Sequence, residues 1–189
     1  MPFWRTRYTM LAFALGTMAL AYVDRVAISM ASGAIQRDLA LSDEQLGYAF
    51  SAFTLAYALF EVPSGWLADR FGARRMMARI VLWWSAFTAA TAASVGFVSL
   101  VAIRFMFGMG EAGVLPTLAS AFRRWLPDRE RGRAFGLTVA AGALGSAISQ
   151  PIVGAMLGRL DWRQSFVAFG TLGAGWAFAW FWWMRDDPR

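Results

Sequence analysis

An all-α membrane protein with six transmembrane helices is the fold class this sequence predicts, and three observations lead there. The 189 residues are 58% hydrophobic, with mean hydropathy +0.46. The charged 16% is gathered into short clusters instead of alternating at a helical or strand period, as it would in a soluble domain. Between the clusters lie apolar runs that reach the roughly 20 helical residues needed to cross a hydrocarbon core.

The first span covers residues 8–35. Arg5 and Arg7, the apolar run from Tyr8 and the triplet Ala19-Leu20-Ala21 imitate a cleavable leader. Cleavage would discard the helix that supports Asp24 and leave an odd number of spans, so the segment is read as a spanning helix. The second span, 46–66, follows an acidic connection with Asp38, Asp43 and Glu44. The third, 76–95, and fourth, 97–122, are separated only by a tight turn at Gly96, since one continuous helix would be twice the needed length. The fifth runs over 134–158 and the sixth over 164–183.

Pro63, Pro116 and Pro151 each remove a backbone hydrogen bond inside or near the end of a span, and such breaks kink helices. Gly108 and Gly110 in the fourth span, with Gly142, Gly145, Gly154 and Gly158 in the fifth, point to close helix packing; Gly154 and Gly158 form a small-xxx-small pair.

Arginine asymmetry sets the orientation. All 18 basic residues are arginine. Thirteen fall at the N-terminus, in the second and fourth connections and in the tail. Only Arg37, Arg159 and Arg163 are on the other side, while Arg25 and Arg104 lie within spans. Both termini are therefore expected in the cytoplasm, in a multi-pass inner-membrane protein. Trp4, Trp66, Trp125, Trp162 and Trp183 mark span ends, as interfacial aromatics do.

Function is read from the charges that remain inside the spans: Asp24 and Arg25 in the first, Arg104 and Glu111 in the fourth. A charge at a helix centre costs roughly 2.5–3.5 kcal/mol on insertion scales, and fixed intramembrane charges mark substrate or ion paths. Arg104, Gly108 and Glu111 share a helix face, at i, i+4 and i+7. Asp24 is about 24 Å from the cytoplasmic start of its span and Arg104 about 10 Å from the outer start of its own, at helical rise. In a core about 30 Å thick, the two groups are at similar depth. Arginine binds a carboxylate bidentately and keeps its charge, which suits an anion site. The protonation of Glu111 or Asp24 can then depend on whether the anion is present.

Other classes fall away. The arginines sit in connections next to spans and not on one exposed face, against nucleic-acid binding. With no Cys and no His, thiolate metal sites, Cys nucleophiles and imidazole proton carriers are excluded, and no nucleophile–base set or phosphate loop remains to suggest an enzyme or a cofactor.

The connection Gly65-Trp66-Leu67-Ala68-Asp69-Arg70-Phe71-Gly72-Ala73-Arg74-Arg75 resembles the loop between the second and third helices of the major facilitator superfamily. Arg104-x-x-x-Gly108-x-Gly110-Glu111-Ala112 is similar to its fourth-helix motif, and Pro127-Asp128-Arg129-Glu130-Arg131-Gly132-Arg133-Ala134 to its following loop. Tyr22-Val23-Asp24-Arg25, Phe60-Glu61-Val62-Pro63-Ser64-Gly65 and Arg79-Ile80-Val81-Leu82-Trp83-Trp84-Ser85 resemble, more narrowly, the anion:cation symporters of hexuronates, aldonates and phthalate-like acids.

The resemblance implies half of a twelve-helix fold, itself two three-helix repeats, with the C-terminal half absent from this chain. It implies proton-coupled symport of an organic anion, such as a sugar acid or aromatic carboxylate. Arg25, Arg104 and Tyr57 would bind the anion, Asp24 and Glu111 would handle protons, and Gly65, Asp69, Arg70, Gly72, Arg74 and Arg75 would form a cytoplasmic gating loop. The substrate site of such a fold lies between two halves. The expected partners are therefore the anion, a proton, the bilayer and a second six-helix half: a separate chain, a missing C-terminal portion or a homodimer. The rival readings are a non-transporting remnant or assembly subunit, and a cation or drug antiporter of the same superfamily, against which the two span arginines speak.

Overall fold

Backbone polar groups in a chain this apolar find no partners in lipid, so helix is the way to satisfy them locally. The computed structural model describes residues 3–186, with side chains from Arg7 onward; the predicted roles of Trp4, Arg5 and Arg189 lie outside the described side chains. Seven α-helices make up the described chain: α1 (Phe3–Asp38), α2 (Asp43–Phe71), α3 (Ala73–Thr91), α4 (Phe97–Glu111), α5 (Val114–Trp125), α6 (Asp128–Leu157) and α7 (Trp162–Trp183).

The predicted fourth span, 97–122, is thus two helices with a turn at Ala112–Gly113. Pro116 explains the break. It has no N–H to offer the carbonyl of Ala112, and its ring crowds that carbonyl. The chain restarts as α5 two residues before the proline, where a missing donor costs nothing. The predicted third span also stops early, at Thr91 instead of residue 95. The freed carbonyls of Ala92 and Ser94 accept from the Arg163 guanidinium, and Ser99 Oγ takes the N–H groups of Val95 and Gly96 at 3.0 and 3.1 Å. Side chains have replaced the last helical turn as partners for these groups. Between α2 and α3 a single residue, Gly72, turns the chain with φ +86°, a left-handed conformation that favours glycine.

Packing follows a simple plan: α1 lies against α6, α2 against α4 and α5, and α3 against α7. Each helix of the first three therefore pairs with a member of the second group. Glycines make this possible where backbones nearly touch. A Cβ on Gly145 would meet Ala19 Cα of α1 at 2.7 Å, and one on Gly170 would meet the Ser85 carbonyl oxygen of α3 at 2.6 Å. The Gly154/Gly158 pair does not mark the closest approach. Its nearest neighbour in another helix is the flexible end of Met30, and Gly158 caps α6.

Two apolar cores result. One, with Met77, Trp84, Phe107, Phe122 and Trp180, fills the arginine-rich end; the other, with Ile35, Leu100, Trp162 and Phe166, fills the opposite end. In α1 the first core reaches Ala21 and the second starts at Ala27; in α4 the second includes Leu100 and the first Phe107. Asp24, Arg25 and Arg104 sit in the gap between them. Ion pairs tie the rims: Arg7 to Glu130 at 3.1 Å and Arg123 to Asp69 at 2.6 Å at one end, Arg163 to Asp38 at 2.9 Å at the other.

Four segments are long and apolar enough to cross a membrane: Arg7–Asp38, Asp43–Phe71, Phe97–Trp125 and Asp128–Leu157. The other two helices are about 28 Å (α3) and 33 Å (α7) long at helical rise. Their composition is what differs: Arg74, Arg75 and Arg79 open α3, and α7 is rich in Trp and Gly. Both α2 and α6 leave broad apolar flanks uncovered, with Leu55, Leu59 and Val62 exposed on one and Leu144, Ile148 and Ile152 on the other.

Candidate functional site

Neighbouring residues on a helix point about 100° apart, and α1 uses this at Asp24-Arg25. Asp24 turns into the bundle, 4% exposed, where it faces the Thr88 hydroxyl of α3 and the charges of Glu111 and Arg104. Arg25 turns the other way, toward α2 and α4, and its side chain keeps 32% exposure. There its Nε donates to Glu111 Oε1 at 2.9 Å.

Glu111 is the last residue of α4, immediately before the Ala112–Gly113 turn, and is 1% exposed. One turn closer to the centre of α4, Gly108 has no side chain because none would fit. A Cβ there would lie 2.4 Å from the carbonyl oxygen of Phe53 in α2 and 3.2 Å from Ala56 Cβ. That close approach presses Phe53 into the site. Its ring lies under both guanidiniums, 5.2 Å from Arg25 Cζ and 5.0 Å from Arg104 Cζ. Arg25 is further enclosed by Tyr22 and Tyr57, at 5.2 and 5.1 Å, and Arg104 by Phe107 at 4.6 Å. Aromatic faces attract cations without neutralising them, so these ring contacts leave the charge of both guanidiniums intact.

The arrangement is asymmetric. Arg25 has a carboxylate partner and partial exposure; Arg104 is 3% exposed, and among the described residues its Nε and the Glu111 Oε2 have no hydrogen-bond partner. Buried polar atoms are ordinarily paired. Two that are not, on opposite charges of one cluster, leave an acceptor and a donor to be engaged by something else.

The sequence-predicted residues Asp24, Arg25, Tyr57, Arg104 and Glu111 are therefore brought together. Phe53 and Tyr22 had no assigned role. Their signal was positional: Phe53 is one turn before Tyr57, and Tyr22 is three residues before Arg25.

The predicted gating loop is spread over several contacts. Asp69 pairs with Arg123 at the end of α5 and not with an arginine of its own loop, and its carbonyl faces Arg124 Nη2 at 3.5 Å. Arg70 lies over the rings of Trp66 and Phe71. Arg74 donates to the Phe181 carbonyl through Nε at 2.9 Å and Nη2 at 2.7 Å, and its backbone N–H donates to Asp186 Oδ1 at 2.8 Å. Gly72 lies against that same carboxylate, and Gly65 lets Pro116 approach α2. Arg75 is exposed.

Comparison with known proteins gives a consistent picture. Residues 13–189 match the sequence profile of the Major Facilitator Superfamily. A probable sulfoacetate transporter of Cupriavidus necator is 36% identical over 184 residues, covering 97% of this chain and 43% of that protein. A hexuronate transporter of Bacillus subtilis is 40% identical over 168 residues, covering 89% of this chain and 40% of that protein. The chain thus spans less than half the length of these relatives. Among solved structures, a bacterial homologue of the human lysosomal transporter Spinster superposes with a TM-score of 0.85 at 24% identity, over 97% of this chain and 44% of its own.

Proposed function

The chain belongs to the major facilitator superfamily, and from that premise we propose that it is the N-terminal half of a proton-coupled symporter of small organic anions, such as a sugar acid or an aromatic carboxylate. The observation that carries this reading is the pair of arginines held over one ring, Phe53, at the level where the two apolar cores meet. The similarity to hexuronate and sulfoacetate transporters supports an anionic substrate.

The four charges of Asp24, Arg25, Arg104 and Glu111 sum to zero, which is what a low-dielectric interior tolerates best. An incoming carboxylate or sulfonate adds one negative charge. In the proposed cycle the anion engages Arg104 and displaces Glu111 from Arg25. A proton on Glu111 or Asp24 restores neutrality, so anion and proton enter together. Tyr57 and Tyr22 close the site around the substrate. The anion reaches it from the outer side, and rocking against a second half opens the site to the cytoplasm. The second half meets this one along α2 and α6, whose apolar flanks are uncovered. Asp69 with Arg123, and Arg74 with Phe181 and Asp186, hold the cytoplasmic side together in one of the two states. The arginine-rich end is the cytoplasmic one, with both termini there, in the inner membrane.

The test is uptake of labelled sugar acids and aromatic acids into proteoliposomes containing this chain, with and without an inward proton gradient. Gradient-driven uptake that Arg104→Ala abolishes supports the reading, with self-association supplying the second half. Absence of uptake by folded chain alone, restored on co-reconstitution with a second six-helix half, assigns the site to the joint between halves. Absence in both cases refutes transport and leaves the non-transporting reading.

A further inference from the structure

The motif Arg79-Ile80-Val81-Leu82-Trp83-Trp84-Ser85 contains a residue that the anion site does not use, and the structure gives it a task. Trp83, half-buried on α3, lies against the Met106–Gly110 turn of α4. Its indole Nε1 donates to the carbonyl of Met106 at 2.8 Å. The ring occupies the place of a side chain at position 110: a Cβ on Gly110 would be 1.9 Å from Trp83 Cδ1 and 2.8 Å from Cγ. Phe87, one turn along α3, backs the indole at 5.3 Å between ring centroids.

The Met106 carbonyl belongs to the turn that ends at Gly110, and the next residue is Glu111. After Glu111 the helix stops. The segment is gripped again at Gly113, where a Cβ would meet Ile80 Cδ1 at 2.5 Å and Ser64 Cβ at 2.9 Å. Glu111 is thus set between two clamps supplied largely by α3. Its carboxylate has a single bond, to Arg25, and its second oxygen is unpartnered among the described residues. A group held by one bond is placed by its backbone.

We propose that Trp83 is a positioning residue for Glu111. The indole pins the last turn of α4 at Met106 and Gly110 and so fixes the carboxylate against Arg25; displacing the indole frees Glu111 to leave Arg25. The proposal rests on the reading of Glu111 as a coupling carboxyl for its functional meaning, but its geometry can be tested without transport. The charged and polar groups that interact with Glu111 are Arg25, Arg104, Asp24 and Tyr57.

The purified chain is treated with a hydrophobic carbodiimide across a pH series, and modification at Glu111 is quantified by mass spectrometry. Arg25→Ala sets the level expected for a released carboxyl. Trp83→Phe keeps the ring and removes the donor; it is expected to raise the modification rate roughly 2- to 10-fold, the equivalent of one lost hydrogen bond, and to displace the pH midpoint. Gly110→Ala, which expels the indole from the other side of the contact, should act the same way. Trp66→Phe, at an exposed tryptophan of α2, should match the wild type. Labelling of Trp83→Phe at the wild-type rate, with Arg25→Ala faster, overturns the proposal. Labelling unmoved by Arg25→Ala overturns it too, because the pair to be positioned would not exist. A labelling series as expected, together with failed anion uptake, leaves the positioning role standing and removes only its transport meaning.

Discussion

Gly108 offers the sharpest test of how the site is built, because its neighbour is a backbone atom that cannot rotate away. A methyl group there would be 2.4 Å from the Phe53 carbonyl oxygen, 3.1 Å from Phe53 Cδ2 and 3.2 Å from Ala56 Cβ. Ordinary contact begins near 3.4 Å, so α2 and α4 must separate by about 1 Å, the difference between 3.4 and 2.4. Overpacking of this kind costs about 1–3 kcal/mol, from which the modest helix-propensity gain of alanine over glycine, about 1 kcal/mol, must be subtracted. Gly108→Ala should therefore destabilise the bundle by up to about 2 kcal/mol. It should also lift Phe53 from beneath both arginines and weaken anion uptake. Gly33→Ala is the matched control: it also lies inside a helix, with nothing within 4 Å of the added methyl, and should be neutral or stabilising. Thermal unfolding of both variants in detergent, followed by circular dichroism, decides the matter. A Gly108→Ala protein that melts above the wild-type temperature would refute the close α2–α4 approach and the placement of Phe53 derived from it.

Phe53→Leu keeps an apolar side chain but removes the ring shared by two guanidiniums; at about 0.5–1 kcal/mol per cation–π contact the loss is about 1–2 kcal/mol, measured as a lower melting temperature, with a rise in the KM of anion uptake beside it. Gly72→Ala places a Cβ at φ +86° and 2.6 Å from Asp186 Oδ1, so it should lower the melting temperature, whereas Gly47→Ala, with nothing within 4 Å, should not. Asp69→Asn breaks a pair whose side chains are 53% and 58% exposed, worth at most about 1 kcal/mol; its effect is expected in the rate of uptake and not in thermal stability. The chain has no native cysteine, so single substitutions report topology cleanly: Asp43→Cys should react with an impermeant thiol reagent from outside intact cells, and Arg75→Cys only after permeabilisation.

Much of this was legible in the sequence because a membrane makes charge expensive. Asp24, Arg25, Arg104 and Glu111 stood out against their apolar surroundings, and helical rise alone put the first pair and Arg104 at similar depth. What escaped had no such contrast. Phe53 is one aromatic among 16 phenylalanines, and only the approach of α2 to Gly108 singles it out. The break after Glu111 was encoded in Gly113 and Pro116, but a proline inside an apolar run predicts a kink as readily as a stop. The partner of Asp69 is 54 residues away, at Arg123, and nothing local distinguishes that arginine from those beside the aspartate. Charge was readable from composition; pairing required the fold.

The asymmetry of the two arginines carries a further consequence for mechanism. Were both bound to carboxylates, an anion would have to displace two ion pairs from a dry interior, and each release would strand a buried charge. Here only Arg25 is paired, at the cluster's more exposed edge, while Arg104 rests on Phe53 and Phe107 with its Nε unengaged. Aromatic faces stabilise a bare guanidinium without competing strongly for it. In the proposed cycle the anion would contact Arg104 first and exchange a single pair afterward, releasing Glu111 at the broken end of α4. On that proposal Pro116 works with the charges: it ends α4 at Glu111, so the proposed coupling carboxyl sits at a helix end with one hydrogen bond, to Arg25.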